Sequence, residues 1–169
     1  MADETETPEG AAGPGPDQQP LIINAQYIRD LSFEVPSAPG IFQLMQQSQP
    51  DIQLNIKVDS NKFEDPGNVF EVILLMEATA KVGDDIGFIL ELEYAGLFTL
   101  NVPEEHLQPM IFIECPRLLF PFARNILAEV TRDGGFPPLM LGPVDFVAMF
   151  QQEILNQEGA AGADAEAGS

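Results

Sequence analysis

Between Gln26 and Pro39, apolar and polar side chains alternate. Tyr27, Leu31, Phe33 and Val35 fall on one side of an extended strand, with Arg29 among them; Ile28, Asp30, Ser32 and Glu34 fall on the other. A period of two predicts a half-buried β-strand, because successive strand side chains point to opposite faces. Asp30 and Glu34 then share a face about 13 Å apart, at about 3.3 Å per residue. Pro36 and Pro39 end the strand, since proline cannot donate to a ladder. A long connection from Ser37 to Pro50 carries Ile41, Phe42, Leu44 and Met45. Alternation returns at Asp51 to Asp59, where Ile52, Leu54, Ile56 and Val58 oppose Gln53, Asn55, Lys57 and Asp59. It returns again at Val69 to Val82 and at Ile86 to Phe98, with Gly83-Asp84-Asp85 as the hairpin turn between them. The pattern predicts about four antiparallel strands with one apolar and one largely polar face.

After Asn101 the period changes. Pro103 to Glu114 predicts a short helix whose start Pro109 disturbs. A second helix opens near Pro116 and stops at Gly134. In it, Leu118, Leu119, Phe122, Ala123, Ile126, Leu127 and Val130 recur at helical spacing. With Phe120 they make an apolar arc of roughly half the circumference at about 100° per residue. One sheet face cannot cover that much, which points to a second partner, most simply another copy of the chain. Phe136 to Pro143 is an apolar, proline-rich connector. Asp145 is placed to cap a last helix from Phe146 to Asn156, with Phe146, Met149, Phe150 and Ile154 on one side. Helices that follow the sheet rather than alternate with it make the class α+β.

Composition sharpens this picture. The chain has 169 residues and 45% hydrophobic content, enough for one domain with a core. It carries 7 Lys+Arg against 27 Asp+Glu, a net charge of −20. Residues 1–20 and the stretch from Glu158 are acidic and rich in Gly and Ala, so both read as disordered tails around a domain at 21–157. The domain keeps 19 acids against 7 bases, a net −12. Such a surface repels nucleic acid and anionic lipid and attracts a basic partner. One Cys rules out an internal disulfide and suits a reducing compartment. No secretory signal or membrane span is expected.

Catalytic and metal chemistry find little footing. His106 is the lone His and sits among Glu104, Glu105 and Gln108; Cys115 lies in an apolar run. There is no phosphate-binding or dinucleotide fingerprint, so no enzyme activity and no cofactor are expected. The polar sheet face is more informative. Asp30, Glu34, Asp59, Glu71, Glu77, Glu91 and Glu93 project together with Lys57 and Lys81, and Ile73, Leu75 and Ile89 lie among them. Apolar residues ringed by acids suit a docking patch for a cationic partner. A second set lies outside the regular strands: Ile41, Phe42, Leu44 and Met45 in the first loop, Phe136, Leu139, Met140 and Leu141 in the connector, and Phe146, Met149 and Phe150 on the last helix. Singly these read as core; together they predict a groove between loop and last helix for extended apolar polypeptide.

Three blocks bring a family into view. Asp30-Leu31-Ser32-Phe33-Glu34-Val35-Pro36-Ser37-Ala38-Pro39 resembles the opening strand of the SecB family of bacterial protein-export chaperones. Cys115-Pro116-Arg117-Leu118-Leu119-Phe120-Pro121-Phe122-Ala123-Arg124, and Gly135 to Leu139 through Pro143-Val144-Asp145-Phe146, are similar to that family's later blocks in order and spacing. The resemblance covers about residues 25–156. It implies a four-stranded antiparallel sheet with helices packed on one face, assembling as a dimer of dimers, a cytoplasmic homotetramer. It implies an ATP-independent chaperone that binds unfolded precursor proteins and delivers them to the SecA ATPase. SecA would dock its basic, zinc-bearing C-terminal segment on the outer sheet face at Asp30, Glu34, Ile89 and Glu91. The zinc would belong to SecA. The alternatives are an acidic oligomeric adaptor for one folded partner and, last, a small enzyme.

Overall fold

The computed structural model describes residues 19–166, with side chains through Glu158. Four strands, β1 (Leu21–Glu34), β2 (Asp51–Lys62), β3 (Val69–Val82) and β4 (Asp85–Leu100), form one antiparallel sheet in the order β1-β4-β3-β2. The β3–β4 hairpin turns tightly, with Val82 opposite Asp85 and Gly83 at φ +63, a left-handed conformation that glycine adopts without strain. A short helix α1 (Ile41–Leu44) sits inside the first connection, where the sequence pattern predicts only a loop.

Helices cover one face. Helix α2 (Glu104–Pro109) passes through a π-helical segment (Met110–Glu114) straight into α3 (Cys115–Asp133). The expected break into two helices is therefore absent. Pro116 has no N–H to give to Phe112, and the ladder widens ahead of it: the Cys115 N–H bonds to Met110, five residues back. Helix α3 ends where expected, in a Schellman motif. The N–H of Phe136 reaches Thr131 and that of Gly135 reaches Arg132, with Gly135 at φ +90. Asp145 caps α4 as expected, accepting from the Ala148 N–H at 3.0 Å. Helix α4 then runs from Phe146 to Glu166, past the expected end at Asn156 and through most of the expected C-terminal tail. Ala and Glu, both good helix formers, dominate that extension. The expected N-terminal tail lies, but for its last two residues, outside the described residues.

The core lies between the inner sheet face and α3. Val72, Leu74 and Met76 of β3 and Phe88, Leu90 and Leu92 of β4 meet Leu119, Ala123 and Leu127 of α3, all fully buried. An aromatic cluster closes one end, with Phe136 5.0 Å from Phe88 and 5.5 Å from Phe42. The connector is tied to α3 by one buried hydroxyl. Thr131 Oγ1 donates to the Leu127 carbonyl at 2.8 Å and accepts from the Leu139 N–H at 2.9 Å. Thr131→Val keeps the shape but leaves the Leu139 donor unmatched in the core. Urea denaturation should show a loss of about 1–3 kcal/mol.

Candidate functional site

The outer face is built by strict alternation in three strands and by a broken register in the fourth. In β2, β3 and β4 the sequence pattern holds: Glu71, Glu77, Glu91, Glu93 and Ile89 point outward with Lys57 and Asp59. In β1 the ladder slips twice, between Ile23 and Ala25 and between Ile28 and Asp30. The second slip squeezes Arg29 out of register. As a result Tyr27 pairs with outward-facing Ala95, and Ile28 pairs with inward-facing Tyr94. Simple alternation had put Tyr27 and Arg29 with the core and Ile28 with the acids; the bulge exchanges them. Asp30 and Glu34, beyond the bulge, stay on the outer face opposite Glu93 and Ile89.

Four strands are clasped there by polar side chains. The Tyr27 hydroxyl reaches over small Ala95 to donate to Glu71 at 2.6 Å, and Asn61 donates to the other Glu71 oxygen at 2.9 Å. Arg29 lies 3.9 Å from Glu71 and 3.7 Å from Glu93. Under this cover Ala95 is sealed and Ile73 is only 2% exposed, so Ile73 is not a surface contact. Leu75 and Ile89 remain half-buried. Hydrogen bonds from Tyr27 and then Asn61 hold the Glu71 carboxyl below the usual carboxylate range, and the same bond to Glu71 raises the Tyr27 phenol.

On the helix side, α3 lies across β3 and β4 and leaves both edge strands partly bare. Ile52 and Leu54 of β2 are 38% exposed, and Ile28 of β1 is 48% exposed. A groove of about 610 Å³ opens where Ile56 and Val58 of β2 face Phe112 of the π-helical segment and Met149, Phe150 and Ile154 of α4. Phe112 and Phe150 stack across it with centroids 5.9 Å apart. A second groove of about 320 Å³ opens at the other end of β2, between Pro50 and Ile52 on one side and Phe136, Pro137, Pro138 and Leu139 on the other.

The single groove expected between loop and last helix is therefore two, one at each end of the bare inner face of β2. Met149 and Phe150 line the first; Phe136 and Leu139 line the second, largely buried. Phe42 and Leu44 are exposed near the second, where Phe42 rests on Phe136, and Met45 and Leu141 are half-buried. Ile41 and Phe146 are core residues instead: Ile41 is sealed in, and Phe146 packs at 6.0 Å against Phe120. Sequence reasoning missed Ile52, Ile56, Val58 and Phe112 as groove lining. The β2 alternation marked three of them, but not that α3 would fail to cover them. Cys115 is buried, and burial pushes its thiol up to about 12, a poor nucleophile. Among the described residues, no group of three or more His, Cys, Asp and Glu is set to hold a metal.

Two apolar grooves beside one edge strand, with an acidic face behind them, have the chemistry of a protein that binds polypeptide. The comparisons agree. Residues 15–157 match the family model described as preprotein translocase subunit SecB. The protein-export protein SecB of Rhodospirillum rubrum is 47% identical over 164 residues, covering 97% of each chain. That of Hyphomonas neptunium is 52% identical over 154 residues, covering 87% of this chain and 90% of its own. The SecB-like chaperone of Mycobacterium tuberculosis, solved with a ChAD peptide from the HigA1 antitoxin, superposes with a TM-score of 0.63 at 17% identity, covering 74% of this chain and 91% of that one. The chain belongs to the SecB family of protein-export chaperones.

The clasp has a pH signature. A carboxyl held below its ordinary value stabilises the fold above that value and loses this contribution as pH falls through the lowered one. Tyr27→Phe should therefore lower the urea midpoint at about pH 7 and lower it less at about pH 3.

Proposed function

We propose that the protein is an ATP-independent holdase of the cytoplasm that keeps unfolded precursor proteins translocation-competent and passes them to the SecA ATPase. The observation that carries this is the uncovered inner face of β2, a strip from Ile52 to Val58 that runs between the two grooves. An extended, apolar client segment laid along it would bury side chains in both grooves. Each would contribute about 1.5–3 kcal/mol before ordering costs. Met149 adapts to varied shapes, so the site demands area rather than sequence.

One such site binds weakly, and several on one assembly bind tightly. The apolar residues α3 leaves uncovered favour that assembly: Phe122 is 53% exposed and stacks on Tyr94, and Leu118 is exposed one turn earlier. In our reading these faces meet in a dimer of dimers, with the long helices between the sheets. The acidic outer face stays free, and there SecA's basic segment docks on Asp30, Glu34, Ile89 and Glu91.

The two faces should separate in experiment. Changing Asp30, Glu34 and Glu91 to Lys should abolish SecA binding by calorimetry while leaving suppression of aggregation of a reduced, unfolded protein intact; equal loss of both refutes the division. Changing Phe42 and Phe150 to Ser should weaken aggregation suppression, followed by light scattering without ATP, and spare SecA. Normal suppression by that variant refutes the grooves. Sizing by static light scattering should give a tetramer, and a monomer refutes the packing of α3.

A further inference from the structure

In two places on the outer face, carboxylates stand directly opposite one another across a ladder. Asp30 opposes Glu93 between β1 and β4, and Glu91 opposes Glu77 between β4 and β3. Like charges so placed destabilise a sheet. The two pairs are treated differently. Arg29, pushed from the ladder by its bulge, lies beside the first and bridges Glu93 and Glu71. The second pair has no such neighbour. Among the described residues, no ion pair reaches Glu77, Glu91, Asp30 or Glu34. The face's other cations, Lys57 and Lys81, stand opposite Leu75 and Asp51 and form no ion pair with these acids. Asn55 donates one hydrogen bond to Glu77 at 3.0 Å, which leaves the charge in place.

We infer that Arg29 and Glu77 determine where a cationic partner registers on this face. Arg29 occupies Glu71 and Glu93 and so closes those two carboxylates to outside cations, while Asp30 beside them stays free. Glu77 doubles the negative charge at Glu91 and leaves a repulsion that a partner's cation relieves. The fitting partner segment carries two cationic side chains spaced to straddle β4 and β3, about 4.8 Å apart. This inference rests on the docking reading given above, and it adds Glu77, a residue outside the four positions carried by resemblance.

The test uses the full chain and two probes, SecA's basic zinc-bearing segment and a short lysine oligomer, each titrated calorimetrically at several salt concentrations. Arg29→Gln opens Glu71 and Glu93. It should tighten the lysine oligomer about threefold or more and narrow the preference for the SecA segment. Glu77→Gln should weaken the SecA segment about threefold or more and flatten its salt dependence, while raising the melting temperature because the repulsion is gone. An unchanged preference in the Arg29 variant, or parent-like binding by the Glu77 variant, overturns the inference. Glu91→Lys separates the two levels. If it binds SecA's segment as the parent does, the docking reading falls and takes the inference with it. If it loses binding while the Arg29 and Glu77 variants behave as parent, only the inference falls.

Discussion

The structure depends on a mismatch of widths. Four strands at about 4.8 Å spacing make a sheet roughly half as wide again as one helix, whose diameter with side chains is about 10–12 Å. The continuous run from α2 through α3 is the main cover on the inner face, and it lies over the two central strands, β3 and β4. Their inward residues are sealed, from Val72 to Leu92. The same residue types on β1 and β2 are left half-open: Ile28 and Leu31 on one margin, Ile52 and Leu54 on the other. A wider helical layer would have given a more ordinary domain with less to bind. The bare margins leave the apolar side of the alternating pattern on β1 and β2 open for a partner.

Much of this was legible in the sequence, and its limits have physical causes. The periods of β2, β3 and β4 give their faces correctly because the β2–β3 and β3–β4 ladders stay in register across the acidic positions; the slip beside Glu93 adds its residue to β1, not to β4. In β1 the pattern misled, since a bulge inserts a residue without changing composition. Tyr27 and Ile28 both suit either face, so nothing local records the exchange. The helices are read from Pro109, Pro116 and Gly134, yet Pro109 is carried inside α2 and Pro116 follows a π-helical widening rather than a break. A residue pattern marks where the regular ladder must fail but not how it is repaired.

The binding surfaces divide in the same way. Glu34, Ile89 and Glu91 sit on neighbouring strands as periodicity and family resemblance both implied, because their registers are regular. The apolar set was harder. Phe42 and Phe150 are open or half-open, whereas Ile41 and Phe146 are sealed. Burial at the ends of short helices is set by packing between distant elements, as between Phe146 and Phe120, and sequence spacing does not report that. Phe112 joins the groove from the π-helical segment by stacking on Phe150, far away in sequence.

Three of the residues that line the smaller groove are imino acids. Pro50, Pro137 and Pro138 have no amide hydrogen, and the Leu139 N–H beside them is already taken by Thr131, which leaves Gln49 as the polar side chain of the lining. A guest chain there meets grease and ring edges but few directional partners. If a client segment lies there as proposed, few directional bonds would fix one alignment over the next. A grip of that kind would let cargo be drawn away by a steady pull from one end, with little to break at each step.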